Sequence, residues 1–208
     1  MLKKEMSRFF SCPTYIMNSL SGGLLMVILT VYLFIDRASM TETLKMTLNW
    51  MGIDPVYGPA LAMACMVFFM SSFNMPSASA LSLEGNNLWI LKTSPISSVT
   101  VLHAKLMPQL LTSLPISIIV SVCIGIAIGL EPAPFVIAVA VAVLANIFFA
   151  LTGLIINVLM PKFDFENVSD VVKRSGAATI AMFGGMISSV LIAGGAFALC
   201  GAVGAFAA

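Results

Sequence analysis

Apolar residues in this chain fall into five long blocks, 18–35, 56–76, 108–130, 135–160 and 177–208, separated by short polar breaks. Each block is close to or above the roughly 20 residues that carry an α-helix across a hydrocarbon core about 30 Å thick. None of the five contains Asp, Glu, Lys, Arg or His. The pattern predicts an all-α integral membrane protein, a polytopic bundle of five transmembrane helices in a single transmembrane domain, 1–208. The last block is long for one helix, yet two full spans need roughly 40 residues. A sixth span therefore requires a broken final hairpin, with Gly184-Gly185 and Gly194-Gly195 as the places for the break.

The polar breaks have patterns of their own. Before the first span, Leu2, Met6, Phe9 and Phe10 share one helical face while Lys3, Lys4 and Arg8 are basic, which predicts an interfacial helix over 1–17 that Pro13 ends. The loop from Asp36 to Pro55 has an amphipathic middle, with Trp50 at interfacial depth. In the third span Pro115 predicts a kink, with Thr112 or Ser117 meeting the freed carbonyl. Glu131 to Pro134 forms a tight turn between spans. Two longer breaks, 77–107 and 161–176, stand out. In the first, Ser94 reads as a helix cap with Pro95 in the first helical position. Upstream of it Leu81, Leu88, Trp89 and Leu91 are apolar knobs around a turn at Gly85. A short helix of that kind either inserts into a groove of a soluble partner or rests on the lipid surface. In the second, Val168, Val171 and Val172 share a face, with Asp170 and Arg174 paired at i, i+4 on the other. Gly and Ser at four-residue spacing in the last block (Gly184 with Ser188, Gly185 with Ser189) let helices approach closely, within the chain or between subunits.

Composition narrows the class. Hydrophobic residues make up 60% of the chain and charged ones 9%, against about 25% charged in a soluble domain, so the lipid bilayer is the solvent. A net charge of +1 without clustered bases implies no nucleic-acid partner. Lys3, Lys4, Arg8, Lys92, Lys105, Lys162, Lys173 and Arg174 lie on the side of the N-terminus and only Arg37 and Lys45 on the other, so the N-terminus and both long loops are expected in the cytoplasm. The four cysteines, Cys12, Cys65, Cys123 and Cys200, have no metal or redox spacing and read as small apolar residues. The first ten residues lack the apolar core and cleavage site of a signal peptide. His103 is the only histidine, no serine has a base within reach, and no GxxxxGK[ST] is present. No enzyme, cofactor or metal site is therefore expected, and nucleotide-driven work would need another polypeptide.

Three separated stretches carry a family resemblance. The start, KKEMSRFFSCPTYIMN, the run LEGNNLWILKTSPIS and the later NVLMPKFDFENVSDVVKRS resemble the permease subunits of bacterial ABC-2 type exporters, which have an EGxxxWxLKxxPI segment and a PKFDxxN segment ahead of a VVK run. The resemblance implies a multi-pass subunit of the bacterial cell membrane that forms the pathway of an exporter. Its partners would be cytoplasmic ATP-binding subunits and a second permease copy or half. It also implies that the two loops couple to the ATPase through Glu84, Trp89, Lys92 and Pro95 in the first and Phe163, Asp164, Asn167 and Lys173 in the second. Such permeases are commonly longer, so the chain is expected to be the C-terminal half of one, a split subunit or a truncated form. A membrane scaffold or assembly protein and a stand-alone secondary transporter are the alternatives. The latter is weakened by the absence of charges within the spans that would bind a coupling ion.

Overall fold

The computed structural model describes residues 1–165, 167–172 and 174–207, apart from the side chains of 86, 90–92, 169 and 203–207. The described residues are predominantly helical and contain no strand. Helix α1 (Leu2–Ser11) and α2 (Pro13–Ile35) are separated only by Cys12, whose extended backbone makes the corner. Pro13 lacks an N–H and so fits the first position of α2 without losing a hydrogen bond. After Asp36 the chain continues directly into α3 (Arg37–Trp50), so most of the expected 36–55 loop is helical. There follow α4 (Gly58–Ser71), α5 (Ser77–Ala80), a 3-10 turn (Ser82–Asn87), α6 (Leu88–Thr93), α7 (Ser98–Ile128), α8 (Pro132–Leu159), α9 (Val168–Val172) and α10 (Gly176–Ala207).

Helices α2, α7, α8 and α10 are long and apolar enough to cross a membrane, and α4 is a shorter apolar helix. The all-α, multi-pass architecture expected from hydropathy is the one observed, with two differences in its elements. First, the block 56–76 is not one continuous helix. Helix α4 has 14 residues, about 21 Å at 1.5 Å per residue, and the chain breaks before Pro76. Asn74 Nδ2 donates to Ser113 Oγ at 2.7 Å and the Ser77 N–H donates to Gln109 Oε1 at 3.2 Å. Side chains of α7 thus serve polar groups that a broken helix leaves without partners in lipid. Second, α7 begins at Ser98, not Pro95. The Ser97 side chain accepts the Thr100 N–H and caps the helix, which places Pro95 in the preceding turn. Within α7, Thr112 and Ser117 donate to the carbonyls of Pro108 and Leu114, not to the carbonyl of Leu111 that Pro115 frees. Helix α10 runs unbroken through both glycine pairs, as the five-span reading expects, and the final hairpin required for a sixth span does not form.

The bundle closes around Met26 of α2, Met63 and Val67 of α4, Ile124 of α7 and Ala138 and Ala142 of α8. Large apolar residues such as Ile28, Leu144, Leu151, Ile187 and Leu191 point outward. That arrangement suits a lipid solvent, in which close packing rather than water exclusion joins the helices. The inward face of α7 is polar along its length. Lys105, Gln109, Ser113, Ser117 and Ser121 recur every fourth residue and are all buried. Ser117 accepts from Asn146 of α8 at 2.8 Å, and Gly125, one turn further, receives the ring of Phe135. On α10, Gly185 packs against Met75, Ser72 and Phe149 of the same chain, whereas Gly184, Gly194 and Gly195 have nothing opposite them.

Candidate functional site

The end of the bundle that carries the N-terminus is where charge concentrates. Glu84, in the 3-10 turn, and Lys105, in the second turn of α7, are 2% and 1% exposed. A charge is tolerated at such a depth only when it is paired and hydrogen-bonded. Lys105 Nζ donates to Glu5 Oε1 at 2.9 Å and to Glu84 Oε1. Arg8 grips both Glu84 oxygens, Nη1 to Oε1 at 2.8 Å and Nη2 to Oε2 at 3.0 Å, and Lys4 Nζ reaches Oε2 at 3.2 Å. The two-pronged arginine contact is the strongest geometry available to a carboxylate. Burial alone pushes the Glu84 carboxyl up, but hydrogen bonds and charge from Arg8 and Lys105 outweigh it and hold the group down at about 2. The cluster joins α1, the 3-10 turn and α7 through contacts that span 21 to 100 residues of sequence.

Around it the chain is tied by uncharged contacts. Phe9 of α1, fully buried, packs with Tyr15 and Val172. Tyr15 donates its hydroxyl to the Pro76 carbonyl at 2.9 Å, and Asn18 reaches the Val172 carbonyl at 3.4 Å. Asn157, at the end of α8, accepts the N–H groups of Leu81 and Ser82 at 2.7 and 3.1 Å and donates to Ser82 Oγ at 2.7 Å. That hydroxyl in turn accepts the Lys162 N–H at 2.9 Å. Gly85 has φ +52, and a Cβ there would lie 3.1 Å from the Phe165 ring. The position favours glycine both for its backbone and for the ring stacked over it. The two long loops therefore touch each other at Gly85 and Ser82.

The residues expected to face a partner divide into two groups. Glu84 is buried and its oxygens are occupied within the chain, so it acts here as an internal clamp. Trp89 on α6 is 63% exposed, and Pro95, Asp164 and Asn167 are exposed, with Phe163 half-buried. The side chain of Lys92, and Lys173 as a whole, lie outside the described residues. Asp170 pairs with Arg174 at 3.9 Å, as the i, i+4 spacing predicts. Sequence reasoning assigned no role to Glu5, Lys105 or Asn157. The signal for Lys105 lay in its four-residue spacing with Gln109, Ser113 and Ser117, which marks one face of one helix. Among the described residues no group of three or more His, Cys, Asp and Glu is placed to hold a metal. The site has the chemistry of a clamp that ties distant segments into one body.

Lys4, Glu5, Phe9, Pro13, Tyr15 and Asn18 of the first stretch, Glu84 and Gly85 of the second and Asn157, Phe165 and Val172 of the third thus come together at one end of the bundle. The family model of the ABC-2 type transporter matches residues 1–169, which include all of these but Val172. No curated protein and no solved structure matches the chain. The match covers most of the sequence and contains the clamp and three of the four helices long and apolar enough to cross a membrane, and on that ground the chain belongs to the ABC-2 type transporter family.

Proposed function

We propose that this chain is the permease subunit of an ATP-driven exporter in a bacterial cell membrane, receiving force from separate ATPase subunits at the end that carries the N-terminus. The observation that carries this reading is the clamp. It makes α1, the 3-10 turn and the start of α7 one unit, from which α6 continues directly with the Trp89 indole exposed. A push on α6 or on the Phe163 to Val172 segment would then pass into α7 and α2 through ion pairs and buried contacts rather than being lost in a loose loop. The excess of lysine and arginine at this end supports a cytoplasmic placement. In this reading Trp89, Lys92, Pro95, Phe163, Asp164, Asn167 and Lys173 meet the ATPase, and Glu84 holds their support from inside. The outward-facing glycines of α10 favour close approach of a second permease copy or half.

The test is co-expression of the full chain with its neighbouring ATPase and purification in native-like lipid. Trp89→Ala is expected to leave thermal stability unchanged, because the side chain is exposed, and to weaken ATPase retention about tenfold or more, as loss of an aromatic anchor does. The reading fails if no ATPase is retained, or if Trp89→Ala combined with Lys92→Ala leaves both retention and export intact.

A further inference from the structure

At the end of the bundle opposite the clamp, α4, α8 and α10 enclose a cavity of about 500 Å³, within the 300–1,000 Å³ typical of ligand sites. Its depth runs from Gly58 to Ala64 on α4 and from Pro134 to Val141 on α8, roughly 10 Å at 1.5 Å per residue. The walls are aliphatic, and among the described residues Tyr57 is the only aromatic one that lines it. Such a surface fits a flexible alkyl chain better than a planar ring. Ile137 and Leu199, on α8 and α10, line the cavity yet are exposed, so it opens sideways between those helices. Beside its outer end Gly201 approaches the Met51 carbonyl so tightly that a Cβ would lie 3.1 Å from it.

The outer end of the cavity carries charge. Asp54 lines it and is exposed, and its Oδ1 accepts the N–H groups of Val56 and Tyr57 at 2.7 and 3.1 Å. The carboxylate is thus fixed at the rim by the turn that starts α4. The surrounding end of the bundle holds Asp36, Glu42, Asp54 and Glu131 against Arg37 and Lys45, an acidic balance that repels an anionic headgroup and attracts an amine. We infer that this cavity binds one acyl chain of a zwitterionic, amine-headed phospholipid, entering sideways between α8 and α10 with its amine at Asp54. The site does not depend on the ATPase-coupled reading.

The full-length protein, reconstituted in nanodiscs of equal parts amine-headed zwitterionic and anionic phospholipid, is stripped in mild detergent, and the lipid it retains is identified by native mass spectrometry. The unaltered protein is expected to retain one phospholipid, with the amine-headed class enriched about threefold, the effect an exposed ion pair supports. Ala64→Phe fills the cavity and should lower occupancy by about tenfold or more through lost apolar burial. Asp54→Asn keeps the oxygen that accepts from Val56 and Tyr57 but removes the charge, and should abolish the headgroup preference while the chain stays bound. Three outcomes overturn the inference: unaltered protein retaining lipid in bulk proportion or none, a second copy of the chain seated where lipid is expected, or undiminished occupancy in Ala64→Phe. The measurement on the unaltered protein decides the matter even if Ala64→Phe does not fold.

Discussion

Glu84 changes meaning most between sequence and structure. Within the motif it reads as one of several polar residues available to a partner; in the fold it is the one carboxylate on which Lys4, Arg8 and Lys105 all converge. Three cations and two carboxylates balance closely enough to stay charged, but removing Glu84 leaves buried Lys105 with Glu5 alone and takes the carboxylate from Arg8 and Lys4. Glu84→Gln, which preserves shape, is therefore expected to lower stability by about 3 kcal/mol, the lower end of the range for breaking a buried pair, read as a fall in the thermal midpoint in detergent. An unchanged midpoint would show the cluster to be ornamental. A pH series gives an independent reading. The folded carboxyl titrates at about 2 against an ordinary 4.5, so the folded state prefers the ionised form. Its contribution is complete above 4.5 and drains away as the pH falls from there toward 2. The unaltered protein should lose stability through that window more steeply than Glu84→Gln.

At the scale of elements, the helices owe their contacts to what is small or polar on their inner faces. The α7–α8 hairpin turns through Gly129, which has φ +73 and caps α7 in the left-handed conformation, and one turn earlier Gly125 makes room for the Phe135 ring. A Cβ at Gly125 would lie 2.4 Å from that ring. Gly125→Ala should destabilise the protein by about 1–3 kcal/mol, as overpacking does. Phe135→Leu added to it should recover most of the loss, whereas equal, additive losses in a double-mutant cycle would mean that the ring moves aside freely. The interruption of the second apolar block is of the same kind. Hydropathy averages over Ser72 to Pro76 and sees one span, while Asn74, Ser77, Gln109 and Ser113 make a polar junction that permits the chain to leave the helix there.

For the whole molecule, the membrane placement makes a prediction of its own. Helix α10 starts at Gly176, and a core about 30 Å thick takes up roughly 20 residues, which brings Cys200 out on the side opposite Cys12. With the N-terminus inside, a single-cysteine variant retaining exposed Cys200 should react with a membrane-impermeant maleimide on intact cells. A variant retaining Cys12 should react only after permeabilisation. The reverse pattern would invert the topology and move the clamp away from any cytoplasmic ATPase.

The membrane class, the long spans α2, α7, α8 and α10, a short helix ahead of the first span and the i, i+4 pair of Asp170 and Arg174 were all legible in the chain, because hydropathy and helical spacing are local properties carried by a few consecutive turns. The three motif stretches were legible too, but as separate pieces. What only the tertiary structure decided is that they meet: that Lys105 faces Glu84 across 21 residues and Glu5 across 100, that Asn157 holds Ser82, and that one apolar block breaks at Asn74. Those outcomes depend on which faces pack together. In a bundle whose outer surface is as apolar as its core, the hydropathy pattern does not say which face turns inward; buried polar side chains with matching partners do.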